Sequence, residues 1–150
     1  MDDISISSPL QGRLIPLADV NDPAFSGGVL GRGAAVTDPF GRVFAPFDAE
    51  VTALFDTHHA IGLHSGDGVD LLIHVGINTV NLQGKFFAAH VAQGDRVKRG
   101  QLLLTFDADA VAAAGYDTTT PVVVTNAASY GSITIRLGEA AVTSAPGDNA

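Results

Sequence analysis

The chain has 150 residues, of which 46% are hydrophobic, a size and composition that suit one domain with a core of its own. It contains no cysteine, which excludes disulfides, thiol catalysis and thiolate metal sites. Its formal charge of −8 disfavours nucleic-acid phosphates, so we expect no nucleic-acid binding and favour a basic protein partner.

Short apolar segments recur between Gly, Pro and Asp residues along the chain, and none is long. Many are rich in Val, Ile, Leu, Phe or Thr, the residues that favour strands. They predict strands at residues 5–17, 33–36, 42–45, 50–55, 59–64, 69–75, 101–106, 121–125 and 132–137. This spacing of short strands and turn residues predicts an all-β sandwich or barrel.

Two segments predict short helices, at residues 86–92 and at the Ala-rich residues 107–114, where Gly115 would end the helix. Residues 143–150 are small and polar, and we expect them to form a flexible tail. No composition shift marks a boundary, so residues 1–150 are expected to form one domain with its core at about 4–137.

The chain shows no sign of membrane insertion or export. No apolar run approaches the roughly 20 residues that a membrane span needs. The acidic start, Met1-Asp2-Asp3, lacks the positive flank and apolar stretch of a signal peptide. We therefore expect a cytoplasmic protein.

His74 is the most informative residue of the sequence, because it lies within an apolar run, Leu71-Leu72-Ile73-His74-Val75, and is followed by Gly76. A buried imidazole without a partner is unfavourable, and a core strand has apolar alternatives. The glycine permits close approach of backbone or ligand. Chemistry at the imidazole explains this arrangement, although a hydrogen-bonded core histidine is the alternative.

The segment Ser65-Gly66-Asp67-Gly68 predicts a turn between two strands. A two-residue or four-residue loop there would place His59 directly opposite His74, with Cβ atoms about 4.5–5.5 Å apart. A three-residue loop would place the two imidazoles on opposite faces. With the first register, Thr57 would lie on the same face, diagonal to His74.

Two neighbouring imidazoles and a hydroxyl suggest phosphoryl chemistry. A neutral imidazole is a nucleophile near pH 7, and a second one can stabilise phosphoryl oxygens. Thr57 could fix the tautomer of a ring. A zinc site is the competing interpretation, but two histidines make an incomplete ligand set. His58, His64 and His90 are expected to be solvated. As alternatives to a functional role, His59 would be a surface histidine in a loop and Thr57 a strand-edge residue.

Gly68 to Val80 resembles the active-site signature of the glucose-type enzyme IIA domains of the bacterial phosphoenolpyruvate-dependent sugar phosphotransferase system. That signature reads Gly, two variable residues, three aliphatics, His, apolar, Gly, apolar, variable, Thr, apolar, and every position fits. The resemblance runs from about residue 4 to residue 137. It includes the segments Ser8-Pro9-Leu10-Gln11-Gly12, Ala45-Pro46, Thr57-His58-His59-Ala60, Gln93-Gly94-Asp95-Arg96-Val97 and Thr120-Pro121-Val122-Val123.

The resemblance implies an all-β fold, a compact antiparallel β-sandwich with short helical segments, and a role for each site residue. His74 would accept a phosphoryl group from the phosphohistidine of the carrier HPr. His59 would serve mainly in passing it to a cysteine of enzyme IIB, which supports sugar uptake through the membrane enzyme IIC. Thr57 would orient His74 by a hydrogen bond. No cofactor or metal is required.

The resemblance also implies an apolar patch around the histidines that meets both partners. The matching positions are Phe25, Val29, Leu30, Phe55, Leu72 and Val80, for each of which ordinary core packing is the alternative. Asp22 fits an acidic rim that receives a basic residue of HPr. Asn78 departs from the Asp that many relatives carry, which weakens one expected ion pair.

Three other classes of protein were weighed against this interpretation. A biotinyl or lipoyl carrier would need a modified lysine at a hairpin tip, and neither Lys85 nor Lys98 has that setting. A zinc peptidase on a related sandwich would need a His-x-His pair, which the sequence lacks. A regulatory protein of the same fold, whose partners depend on its phosphorylation state, stays open as the alternative function.

Overall fold

The computed structural model describes residues 2–137 and 140–144, and within them most of the regular secondary structure is β-strand. The all-β prediction is confirmed. The strands are β1 Ile4–Ser7, β2 Arg13–Pro16, β3 Arg32–Thr37, β4 Arg42–Phe44, β5 Ala49–Leu54, β6 Ala60–Ser65, β7 Asp70–His74, β8 Phe87–Ala89, β9 Arg96–Val97, β10 Leu102–Phe106, β11 Thr120–Val124, β12 Ile133–Leu137 and β13 Ala140–Ser144. Two short helices are α1 Pro23–Ser26 and α2 Ala108–Ala113.

In the described residues these strands form three sheets. The largest has the order β2-β3-β11-β7-β6-β5-β9, which places β7 between β11 and β6. The two smaller sheets have the orders β1-β12-β13 and β4-β10-β8. The pairs are antiparallel apart from β1 and β12, which pair in parallel. A parallel pair is possible here because these strands come from opposite ends of the chain and no hairpin joins them.

The main core lies between the large sheet and the two smaller sheets. All three sheets contribute fully buried side chains, among them Ile6, Val43, Ile61, Leu63, Ile73, Leu104, Val122 and Ile135. Because successive side chains of a strand point to opposite faces, Leu71 and Ile73 of β7 face this core. Leu72 and His74 therefore point to the other, outer face of the large sheet.

A second apolar cluster covers part of that outer face. Val123 of β11 and Ala35 of β3 pack there against the segment that joins β2 to β3, and the cluster consists of Leu17, Val20, Phe25, Ala35, Ile77 and Val123. Helix α1 begins in this segment, where Asp22 caps it and Pro23 occupies its first position. The segment thus builds one wall beside the end of β7.

Three predicted elements can be compared with the structure. The Ala-rich helix is confirmed as α2, which Asp107 caps. The helix predicted at 86–92 is wrong, because Phe87–Ala89 pairs with β10 and the Phe87 ring stacks on Phe106 at 5.9 Å between centroids. Of the predicted tail, Thr143 and Ser144 belong to β13, and residues 145–150 lie outside the described residues, so the flexible tail stays a prediction.

Candidate functional site

The hairpin of β6 and β7 has a different register from the predicted one. Ala60, not His59, lies opposite His74, and the loop has three residues. Gly68 has a φ of 93° and donates its N–H to the Ser65 carbonyl, a backbone conformation that favours glycine. The two-residue and four-residue loop predictions are therefore wrong.

His59 nevertheless lies beside His74, with 4.9 Å between the ring centroids and 83° between the ring planes. The expectation that a three-residue loop separates the imidazoles fails, because His59 precedes β6 and the alternation of strand side chains does not apply to it. His58 has a left-handed φ of 58°, which turns the chain just before His59. The His59 carbonyl still accepts the N–H of Val75, at 2.7 Å, which ties the two segments together.

His74 is held by the turn that follows it. Its Nδ1 lies 2.8 Å from the carbonyl oxygen of Gly76, whose φ is 79°. A Cβ at Gly76 would lie 2.5 Å from Cγ2 of Thr79. Thr79 is fully buried and donates its hydroxyl to the Val75 carbonyl, and Ile77 donates its N–H to Asp117. These contacts fix the turn, and the turn fixes the ring.

The hydrogen bond to Gly76 determines which nitrogen of His74 is reactive. A carbonyl oxygen only accepts hydrogen bonds, so the Nδ1 of His74 carries the proton and donates it. The neutral ring then has its free electron pair on Nε2. Nε2 is therefore the nucleophilic atom of this imidazole.

Thr57 contacts His59 rather than His74. Its Oγ1 lies 2.5 Å from the Nδ1 of His59. The prediction that Thr57 orients His74 by a hydrogen bond is therefore wrong, because the Nδ1 of His74 already has the Gly76 carbonyl as its partner. Thr57 fixes the second imidazole, and through it one side of the His74 ring.

Four aromatic rings stand in series across the site. The Phe25 ring lies 5.1 Å from His74, and the Phe55 ring contacts His59 edge to face at 5.3 Å. His59 is only 2% exposed, whereas His74 is partly exposed. The series therefore presents one imidazole to solvent and buries the other beneath the surface.

Both imidazoles are neutral near pH 7. Burial, together with the positive charge that His74 can carry, lowers the pKa of His59 to about 4. Burial also lowers the pKa of His74, while the hydrogen bond to Gly76 and the negative charge of Asp22 act in the opposite direction. A neutral His74 is available as a nucleophile without a prior loss of a proton.

Four members of the predicted apolar patch are exposed in the structure: Val29 at 81%, Leu30 at 38%, Phe55 at 43% and Val80 at 48%. Leu72 is partly exposed and lies two residues before His74 on the same face of β7. Phe25 is different, because it is 3% exposed and packs in the second cluster. For Phe25 the structure agrees with the alternative of core packing, and its contact with a partner stays a prediction; the ring supports His74 from inside the protein.

The two polar positions of the predicted rim differ in structure. Asp22 is partly exposed and accepts the N–H of Ala24 at 3.0 Å as the cap of α1. Asn78 is exposed and adopts a left-handed φ of 60°, a conformation that asparagine tolerates better than most residues. Asp22 thus has a role within the fold, while Asn78 serves the turn after His74.

His58 directly precedes His59 and is partly exposed, whereas His64 and His90 have partners elsewhere. His64 is exposed and contacts Asp70, and His90 is exposed and contacts Thr105. In the part of the chain that the structure describes, no group of three or more His, Asp or Glu side chains could hold a metal ion. Neither described helix has the length and apolar character to cross a membrane.

Sequence reasoning missed the structural importance of Thr79, Asp117 and α1. Thr79 belongs to the signature, but its hydroxyl contact with the Val75 carbonyl is visible only in the fold. The pair Asp22-Pro23 is a recognisable start signal for a helix, because Asp caps and Pro is favoured at the first position. That signal could have located α1 and its buried Phe25.

Comparison with known proteins defines the class of this fold and site. The family model described as "phosphoenolpyruvate-dependent sugar phosphotransferase system, EIIA 1" matches residues 4–130. The solved structure "glucose permease IIA from Mycoplasma capricolum" matches with a TM-score of 0.75 and 33% identity, over 79% of this chain and 77% of that one. The β-sandwich prediction is thereby confirmed.

Curated relatives agree with this class. The "PTS system beta-glucoside-specific EIIBCA component" of Dickeya chrysanthemi is 52% identical over 128 residues, 85% of this chain and 20% of that protein. The "PTS system glucose-specific EIIA component" of Bacillus cereus is 40% identical over 137 residues, 91% of this chain and 83% of that protein. The chain spans about a fifth of the length of the EIIBCA relatives.

The chain belongs to the glucose-type enzyme IIA family of the sugar phosphotransferase system. It is a phosphoryl-transfer component of that system.

Proposed function

We propose that this chain takes a phosphoryl group from phospho-HPr onto Nε2 of His74 and passes it to a cysteine of enzyme IIB. The observation that carries the proposal is the geometry of His74. Gly76 occupies its Nδ1, burial keeps the ring neutral, and the ring is partly exposed on the outer face of the sheet. A nucleophilic nitrogen is thus fixed in direction and accessible to a partner.

In the accepting step, the electron pair of His74 Nε2 attacks the phosphorus of the donor phosphohistidine. A new N–P bond forms while the donor N–P bond breaks, and its electron pair returns to the donor imidazole. The proton stays on Nδ1 of His74 throughout and is donated to the Gly76 carbonyl. The donor ring leaves as a neutral imidazole when its other nitrogen carries a proton, and the phosphorylated His74 ring then carries the positive charge. No proton has to move between the proteins, so positioning and charge stabilisation govern the rate.

His59 stabilises the transferred group. A pKa of about 4 keeps the His59 ring neutral near pH 7. The Thr57 hydroxyl can donate a hydrogen bond to Nδ1 of His59, and the single ring proton is then on Nε2. The Nε2–H of His59 then donates to a phosphoryl oxygen beside His74, since the rings are 4.9 Å apart. In the onward step a cysteine thiolate attacks phosphorus, an S–P bond forms, and the electron pair of the broken bond returns to Nε2.

The exposed apolar side chains of Val29, Leu30, Phe55 and Val80 provide the docking surface for both partners. A common surface is required, because donor and acceptor must reach the same nitrogen in turn. The charge of −8 suits a basic partner surface. In this scheme the chain acts in the cytoplasm, and the membrane enzyme IIC is reached only through enzyme IIB.

The test is transfer of labelled phosphate from phosphoenolpyruvate through enzyme I and HPr to the wild-type chain. We expect acid-labile, base-stable label on wild type and on His90→Gln, a matched change of an exposed histidine that contacts Thr105. His74→Ala should carry no label. His59→Gln should accept label and pass it slowly to enzyme IIB.

Two results would overturn the proposal. One is label that persists on a folded His74→Ala variant. The other is an unlabelled wild type in the presence of HPr that is shown to be phosphorylated. Normal onward transfer by His59→Gln would remove His59 from the mechanism.

A further inference from the structure

Asp22 holds helix α1 in place through hydrogen bonds to both its side chain and its main-chain carbonyl. Its Oδ1 accepts the N–H of Ala24 at 3.0 Å. Its carbonyl accepts the N–H groups of Phe25 and Ser26 at 3.0 and 2.9 Å. A helix of four residues depends strongly on such contacts, because it has few hydrogen bonds of its own.

Helix α1 in turn places Phe25 against His74. The Phe25 ring is 3% exposed and lies 5.1 Å from the His74 ring, at 58° to it. The same cluster holds Ile77, which directly follows the glycine whose carbonyl binds His74. A displacement of α1 would therefore be transmitted to the imidazole through a buried contact.

The carboxylate of Asp22 also acts on His74 through its charge, because it raises the pKa of that imidazole against the effect of burial. A phosphoryl group on Nε2 brings negative charge into the same field. A fixed carboxylate disfavours that charge, whereas it has no such effect on the unphosphorylated neutral ring.

We propose that Asp22 is a positioning residue with two effects: through the helix cap it holds Phe25 against His74, and through its charge it repels the bound phosphoryl group and makes phosphorylated His74 a better donor. This inference rests on the proposed function. It differs from a role in docking, because both effects act within this chain and exist without a partner.

Two substitutions separate the cap from the charge. Asp22→Asn retains an N-cap of equal quality and removes the charge, whereas Asp22→Ala removes both. Asp19→Asn is the matched control, since it removes an exposed carboxylate of the neighbouring turn. Asp22 is the only carboxylate with a resolved influence on the pKa of His74 among the described residues.

The first measurement needs no partner and uses nuclear magnetic resonance of the His74 ring protons. Asp22→Asn and Asp22→Ala should both lower the pKa of His74, while Asp19→Asn leaves it unchanged. The ring-current shift that Phe25 imposes on His74 should persist in Asp22→Asn and diminish in Asp22→Ala. Retention of that shift in Asp22→Ala would overturn the role of the cap.

The second measurement is the equilibrium distribution of phosphate between HPr and this chain, determined at concentrations where the complex is negligible. That constant depends on the two phosphorylated species and not on the affinity of docking. Asp22→Asn should shift it about threefold to tenfold toward the phosphorylated chain. An unchanged constant would overturn the role of the charge, whereas an unlabelled wild type would refute the proposed function itself.

Discussion

The buried, neutral His59 makes the stability of this protein sensitive to mild acid. Its pKa is lowered to about 4 in the folded chain, compared with 6.5 in an unperturbed imidazole. As the pH falls through this window, the unfolded chain binds a proton that the folded chain does not. The free energy of unfolding therefore rises with pH between about 4 and 6.5, and stability is lost on acidification.

The size of this effect follows from the shift. One imidazole contributes up to about 1.4 kcal/mol per pH unit inside the window, which amounts to about 2 kcal/mol between pH 7.5 and pH 5. Folded domains of this kind are stable by only about 5–15 kcal/mol, so the loss is measurable. The lowered pKa of His74 acts in the same direction, and a variant is needed to isolate His59.

The assay compares urea unfolding of wild type and His59→Gln at several pH values between 7.5 and 5, followed by circular dichroism. Glutamine can still bond to the hydroxyl of Thr57. Between pH 7.5 and pH 5 we expect the free energy of unfolding to fall by about 2 kcal/mol more in the wild type than in the variant. The reasoning would be refuted if the free energy of unfolding depended on pH equally in the two proteins, or if a His59 resonance titrated above pH 6.

Three further predictions concern the environment of the site. Phe25→Ala should lower the free energy of unfolding by about 3–5 kcal/mol, because the side chain is buried, whereas Val29→Ala should change it by less than about 0.5 kcal/mol in the same urea assay. Gly76→Ala should abolish labelling by phospho-HPr, because its φ is positive and a Cβ has no room, whereas Gly66→Ala, with open space around it, should label normally. Thr57→Val should slow transfer to enzyme IIB because the hydrogen-bonded imidazole loses its partner, and Thr57→Ser should restore the rate; equal rates for Val and Ser would contradict this role.

Much of the fold could be predicted because its signals are local. Short segments of strand-forming residues between turn residues predicted most of the strands, and the Ala-rich run before Gly115 predicted α2. The segment at 86–92 shows the limit, because its pairing with β10 and the stacking of Phe87 on Phe106 outweigh local propensity. The start signal Asp22-Pro23 was also local and was missed.

The site was predicted less completely than the fold. The proximity of His59 and His74 was predicted correctly, but the strand register that led to it was wrong. A hairpin loop that differs in length by one residue changes every cross-strand pair. The partner of Thr57 was also wrong. For Phe25 the sequence left both a patch residue and a core residue open, and the packing of α1 on the sheet buries it.

Local sequence signals were sufficient to predict the strands and to single out the imidazole at position 74, within an apolar run and followed by a glycine. The fold was needed to show which nitrogen of His74 is free, which ring Thr57 contacts and that Phe25 packs beside His74. The physical reason is that these features depend on contacts between segments distant in the chain or on single backbone dihedrals. Neither leaves a periodic pattern in the sequence.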